Sequence, residues 1–442
     1  IPPYVARRRV QIKIGKRRWG NKVKGDCMSM SAEPKKTTDQ QKLSPYRWVA
    51  VICIGLMHAS LMGAVAVPGA FSATIIGDWG IDQGAFVQLT LIGFLTGALF
   101  SIPMGILADK FGVVKILGIG MIIASIAGIA RIFCDTPDSF AMLYASCFFI
   151  GMGLAGMNSN SVKFLRAWFG TKITTGMTLY VSGAGIGVTG MMAYASANIT
   201  DLRATWICSA IVLVVATVIW FVLARMPKDA EIMKDSYSIT AVKACFSNKT
   251  LLLVSVVMML SMASSAAYAG NIPAGLAEKG IDPATAAAWA SFINLAGMPS
   301  NWVCGPVADK LQRMKPVFGV MAFLGAGLLM VAWWLPVSGA TLPLMLLGAF
   351  IVWGNIGIIK GSVGMIPTIK PEHMGTAGGI QTFFQNLSAF IIPSFVIAPL
   401  CGGNMVMFFM LLSVCVLLAG AVFVFAIPEL GLKGKIHKQE TK

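Results

Sequence analysis

Along this chain, apolar stretches of about 20 residues, enough for a helix to cross the hydrocarbon core of a bilayer, recur near 47–72, 84–107, 113–133, 140–162, 173–196 and 204–225. A polar segment from Met226 to Lys249 follows, and then six more stretches near 250–272, 284–306, 316–336, 341–367, 374–400 and 403–427. Inside lipid a backbone has no water to bond, so runs of this length must be helices. The pattern predicts an all-α polytopic membrane protein with twelve transmembrane helices in two pseudo-symmetric six-helix bundles. The predicted divisions are a polar, basic N-terminal segment 1–45, a bundle 46–225, a linker 226–249, a second bundle 250–428 and a tail 429–442.

The two halves share residues as well as a count. The stretch from Gly105 through Asp109 and Lys110 to Lys115 is matched 200 residues later by Gly305, Asp309, Lys310 and Lys315. Gly80, Ile81 and Asp82 likewise match Gly280, Ile281 and Asp282, and between 80 and 115 ten of thirty-six positions are identical at this fixed offset. Each copy closes an apolar run with a glycine, an aspartate and a lysine, which predicts a short charged turn between two spans. Duplication of a multi-helix half is the simplest source.

These loops resemble the signature of the major facilitator superfamily after its second helix, with the weaker echo expected after the eighth. The first copy departs from it at Val113 and Val114, the second at Gln312. The resemblance implies a secondary transporter and no enzyme, in which two bundles rock about a central site. It also implies a conformational gate built on Gly105, Asp109, Lys110, Gly305, Asp309 and Lys310. The passage Trp168 to Lys172, followed by Gly176, Gly183, Gly185 and Gly187, is similar to the fourth-to-fifth-helix region of oxalate/formate-antiporter and monocarboxylate-type members. The glycine-proline signature of drug exporters is absent between Gly183 and Ala195. Such anion porters also place cations in the eighth and eleventh helices, where this chain has neutral Asn294 to Asn301 and Gln381 to Ser388.

Composition supports the class: 56% apolar against 12% charged residues leaves a soluble domain too little polar surface. Nine cysteines without metal-ligand spacing read as small packing residues, so no metal and no cofactor is expected. Neither a nucleophile–base pair within a span nor a Walker-type loop is present. The net charge of +17 does not imply nucleic acid, because much of it sits in residues 1–27, with nine Lys/Arg and one Asp. Translation is expected to begin at Met28 or Met30; the alternative is a basic arm on anionic lipid, worth about 1 kcal/mol per charge near the surface. With the N-terminus inside, inner loops collect fourteen Lys/Arg and outer loops only Arg131, Arg203 and Lys279. This predicts cytoplasmic termini in a bacterial cytoplasmic (inner) membrane.

One basic residue, Lys360, falls within a span, with Gly357, Gly364 and Trp353 on its predicted face. It reads either as a substrate or coupling charge facing a cavity, or as a side chain reaching for the membrane surface. As the sole intramembrane cation it favours a monoanion over a dianion. All eighteen carboxylates lie in loops, tails or their edges, so His58 is the candidate proton-coupling group, against the plainer reading of a hydrogen-bonded packing residue. Ser261, Ser264, Ser265 and Tyr268 in the seventh span, Asn294 and Asn301 in the eighth, and Gln381, Gln385, Asn386 and Ser388 in the eleventh predict a polar lining, or else hydrogen bonds between helices. The predicted substrate set is Lys360, Trp353, Tyr268, Asn294, Gln381, Gln385 and Asn386. The expected function is transport of a small organic anion, a monocarboxylate, by proton symport or anion exchange, the protein working as a monomer in the lipid bilayer. Alternatives are export of amphipathic compounds and a membrane-embedded sensor.

Overall fold

The computed structural model describes residues 44–169, 173–227, 239–363, 365–366, 368–369 and 374–430, and these form helices and their connections, with no strand among them. Six long helices come first: α1 (Arg47–Phe71), α2 (Gln83–Phe111), α3 (Val113–Arg131), α4 (Phe140–Phe169), α5 (Ile173–Ala197) and α6 (Leu202–Leu223). A short α7 (Ile239–Phe246) lies within the predicted linker, its Phe246 ring edge-on to Phe384 at 6.2 Å. Then come α8 (Lys249–Glu278), α9 (Pro283–Leu311), α10 (Lys315–Trp334), α11 (Thr341–Val363), α12 (Thr376–Cys401) and α13 (Met405–Ala426).

Ten of these helices are long and apolar enough to cross a membrane. The two long helices outside that set are α5 and α9, rich in Gly, Ser, Thr, Asn and Ala, and they pack on one another across the junction of the two bundles. A helix face that meets another helix tolerates small and polar residues that lipid would penalise.

The duplicated stretches are more helical than the sequence implied. Gly105 to Lys110 continue α2, and Gly305 to Lys310 continue α9. Nothing in Ala-Asp-Lys breaks a helix, so the reversal is compressed into one residue: Gly112 at φ 96° and its counterpart Gln312 at φ 55°. Glycine occupies this region freely, whereas a side chain costs about 1–2 kcal/mol there. The repeat shows again at the opposite helix ends. Gly80 and Gly280 both have positive φ, Asp82 accepts from the Gly84 and Ala85 amides, and Asp282 accepts from the Thr285 amide at 3.0 Å. Both carboxylates cap orphan N–H groups at a helix start.

Lys110, Lys115, Arg166, Lys249, Lys310 and Lys315 sit at helix ends on one face, here the basic face. Towards the opposite, far face the bundles are joined. A Cβ at Gly69 of α1 would overlap the carbonyl of Gly270 of α8. The Thr90 hydroxyl donates to Asn271 Oδ1 at 3.1 Å, Ser196 to the Ala284 carbonyl at 2.7 Å, and Ser291 to the Thr189 carbonyl at 2.9 Å. Arg131, counted above with the outer loop charges, is instead fully buried at the end of α3.

Candidate functional site

His58 lies midway along α1, its ring stacked on that of Tyr180 at 4.3 Å and 11°. Its Nδ1 is 3.0 Å from the Tyr180 carbonyl, which only accepts, so Nδ1 carries the hydrogen and Nε2 is left as the position for a second proton. Close packing of α5 on α1 makes this stack possible: a Cβ at Gly183 or Gly187 would strike the α1 backbone at Gly55 or Ala59.

Lys360 lies on α11, in the second bundle. The residue keeps accessible surface although its ammonium lies deep among the helices, and no carboxylate among the described residues pairs with it. Six residues before it, α11 is interrupted at Trp353–Gly354, where the Gly354 amide donates to Ser300 Oγ of α9 at 2.9 Å. Trp353 itself packs on Gly297 and meets Tyr268 edge-on at 5.8 Å. Gly364 lies outside the described residues.

The polar stripe of α12 faces inward. Gln381 Nε2 donates to the Ile359 carbonyl at 3.3 Å, the residue before Lys360. One turn on, Gln385 Nε2 approaches Met262 Sδ at 3.6 Å, while its Oε1 is buried without a partner among the described residues. Asn386, 1% exposed, accepts from Asn158 Nδ2 of α4 at 3.5 Å, and its own Nδ2 has no partner among the described residues. Buried polar groups are ordinarily satisfied, and these two, on adjacent residues of α12, lack a partner among the described residues.

The rest of the predicted set is dispersed. Tyr268 is buried in the second bundle among Trp333, Trp353 and Phe409, and its hydroxyl pairs with Ser413 at 3.2 Å. Asn294 Nδ2 donates back to Ala290 within α9. Lys110 is exposed, with its ammonium 5.3 Å from the Phe111 ring centroid. The side chains of Asp109 and Asp309 lie outside the described part of the structure. Asn158 was missed by the sequence reading, although Asn158-Ser159-Asn160 is a conspicuous polar run within an apolar span. A second missed feature is a recess of about 730 Å³ on the far face, lined by Asp78, Asp135, Asp201 and Asp282 with Arg203.

Residues 48–393 match the Major Facilitator Superfamily. The chain belongs to this family. Within the superfamily, it is 26% identical over 322 residues to the nitrite extrusion protein of Bacillus subtilis (strain 168), covering 72% of this chain and 78% of that one. A shorter match, 28% over 132 residues, is to the 4-hydroxybenzoate transporter PcaK of Pseudomonas aeruginosa, covering 29% of this chain and 28% of that one. Among solved structures, a D-xylose-proton symporter superposes with a TM-score of 0.69 at 14% identity, over 87% of this chain and 99% of the other. The fold and the family make this facilitator-type protein a multi-pass secondary transporter of small molecules rather than an enzyme.

Proposed function

We propose that the protein carries a small organic anion, a monocarboxylate, by proton symport or anion exchange, with Lys360 as the counter-charge and the basic face in the cytoplasm. The observation that carries this reading is an ammonium set deep among the helices, on a spanning helix, with no carboxylate partner among the described residues. A cation at that depth costs about 2.5–3.5 kcal/mol, and an incoming anion supplies the missing partner. Two relatives bear names for nitrite and 4-hydroxybenzoate, both monoanions at neutral pH. His58 is the proton site in this scheme. A proton at His58 and an anion at Lys360 carry opposite charges, so each favours the other's binding. The two bundles, joined towards the far face, then part there and close at the basic face, where Asp109 and Asp309 with the neighbouring lysines form the gate.

The test is ligand-dependent thermal stabilisation of the purified protein across small carboxylates, sugars, amino acids and cationic drugs, with Lys360→Ala alongside. A carboxylate that stabilises the wild type and not the variant supports the reading. Hits that are neutral or cationic, or an equal response in the variant, would sink it.

The acidic far-face recess favours a second reading on direction, outward release of the anion. Four carboxylates to one guanidinium repel an anion arriving from that side and speed its departure. Counterflow in oriented liposomes loaded on one side distinguishes release from uptake.

A further inference from the structure

Along α12, Gln381 reaches the backbone beside Lys360, and Asn386 lies five residues further on. At the α-helical rise this separates the two positions by about 7.5 Å along the axis and about 140° around it, so Gln381 turns to α11 while Asn386 turns to α4 and α2. The α11 side carries the Lys360 cation. The other side offers an amide pair assembled from both bundles, Asn158 of α4 and Asn386 of α12, in contact at 3.5 Å, the long limit for such a bond.

This pair is poorly served by the protein alone. Asn386 is almost completely buried, yet its Nδ2 has no partner among the described residues. Gln385 Oε1, one residue before it, is also buried and has no partner among the described residues. Opposite stands Gly97 of α2, where an added Cβ would be in ordinary contact with the Asn386 amide at 3.5 Å. Asn158 is only partly buried and remains reachable.

We propose that the transported anion carries a second polar group, a hydroxyl or its equivalent, at the end remote from its carboxylate, and that Asn158 and Asn386 hold this group between them. The proposal rests on the assignment of Lys360 as the counter-charge. A hydroxyl both donates and accepts, so it satisfies an amide presenting either its N–H or its carbonyl end. Because the two asparagines belong to different bundles, the ligand's distal group replaces a direct bridge between bundles with one routed through itself. A substrate lacking that group leaves the amides buried and unpaired, which is how a polar site rejects an apolar isostere.

The experiment measures binding of benzoate, 4-hydroxybenzoate and 4-methylbenzoate to the purified full-length protein, in wild type, Asn386→Leu, Asn158→Ala and Lys360→Ala. The expected result is that wild type prefers the hydroxy over the methyl compound by about tenfold, the worth of one hydrogen bond. That ratio falls to near one in both asparagine variants. Should the buried Asn386→Leu fail to fold, the partly buried Asn158→Ala carries the comparison. Equal binding of the hydroxy and methyl compounds by wild type, or a preference that survives both asparagine substitutions, overturns the proposal. If Lys360→Ala weakens all three ligands while the preference is absent, the distal-group proposal fails and the anion site stands. If no benzoate binds, the distal-group proposal fails and the anion reading is decided by the wider carboxylate panel; if Lys360→Ala binds all three as wild type does, both fail together.

Discussion

The guanidinium of Arg131 donates through Nη1 to the carbonyl of Ala64 at 2.6 Å, and Pro68, four residues on, is the reason that carbonyl is free. A helical carbonyl accepts from the amide four residues later, and proline has none. From Val67 to Phe71, α1 tightens into a 3-10 turn, and Arg131 supplies the missing donor from α3. Its Nε donates to Ser146 Oγ at 3.1 Å, its Nη2 approaches Cys147 Sγ at 3.3 Å, and Trp206 covers it at 5.3 Å. Arg131→Met should lower stability by about 1–3 kcal/mol, the cost of an unmet buried carbonyl. In a Pro68→Ala background, which returns the amide, the same substitution should cost about 1 kcal/mol less. A double-mutant cycle on thermal unfolding measures that coupling; additive effects would show that Arg131 acts without reference to Pro68.

Gly69 touches Gly270 where the two bundles meet near the far face. A side chain there needs space that only separation of α1 from α8 provides. Gly69→Val should move spin labels at positions 196 and 284 apart by several ångströms, about the width of the inserted group, and slow turnover. An unchanged distance distribution would mean that this contact does not limit closure.

His58 is placed to take a proton at Nε2 while Nδ1 stays bonded to Tyr180. His58→Gln should abolish accumulation driven by a proton gradient and flatten the pH profile of uptake, yet leave downhill anion exchange within about threefold of wild type. A pH profile that survives the substitution assigns His58 to packing alone.

The proposed gate residues lie at the basic face. Asp109→Asn and Asp309→Asn keep side-chain volume and remove charge. Each should reduce maximal transport rate by about tenfold or more with little effect on ligand affinity, because the loss falls on exchange between states. Equal losses in rate and affinity would place these carboxylates outside the gate.

Asp282 caps α9, and hydrogen bonds from Thr285, through its side chain and its amide, hold the carboxyl below the usual aspartate range. A lowered folded value means the charged cap favours the folded form above the ordinary aspartate pKa, and that contribution is lost as pH falls through the lowered value. Hydrogen exchange at the first turn of α9 should therefore be independent of pH near neutrality and show less protection in acid. In Asp282→Ala the reduced protection should be present at every pH; equal protection in variant and wild type would remove the cap from the account.

Much of this molecule was legible in the order of its residues. The apolar runs required helices, because a backbone within lipid must satisfy itself, and the offset of 200 between Gly105 and Gly305 exposed the duplicated half. Lys360 stood out because a charge in a span is costly enough to need a reason. The details that make a site were decided elsewhere. Whether Asp109 ends a helix or sits in a turn depended on one residue of positive φ, Gly112, which no periodicity announces. Arg131 read as a loop charge because its partners, Ala64, Ser146, Cys147 and Trp206, come from three other helices. Tyr268 read as a lining residue and is enclosed by aromatic rings of α10, α11 and α13. Asn158 and Asn386 are 228 positions apart, and only the packing of α2, α4 and α12 brings their amides together. Hydrophobic pattern is a property of one segment and survives in the sequence; which polar groups face one another is a property of pairs of segments, and tertiary packing alone sets it.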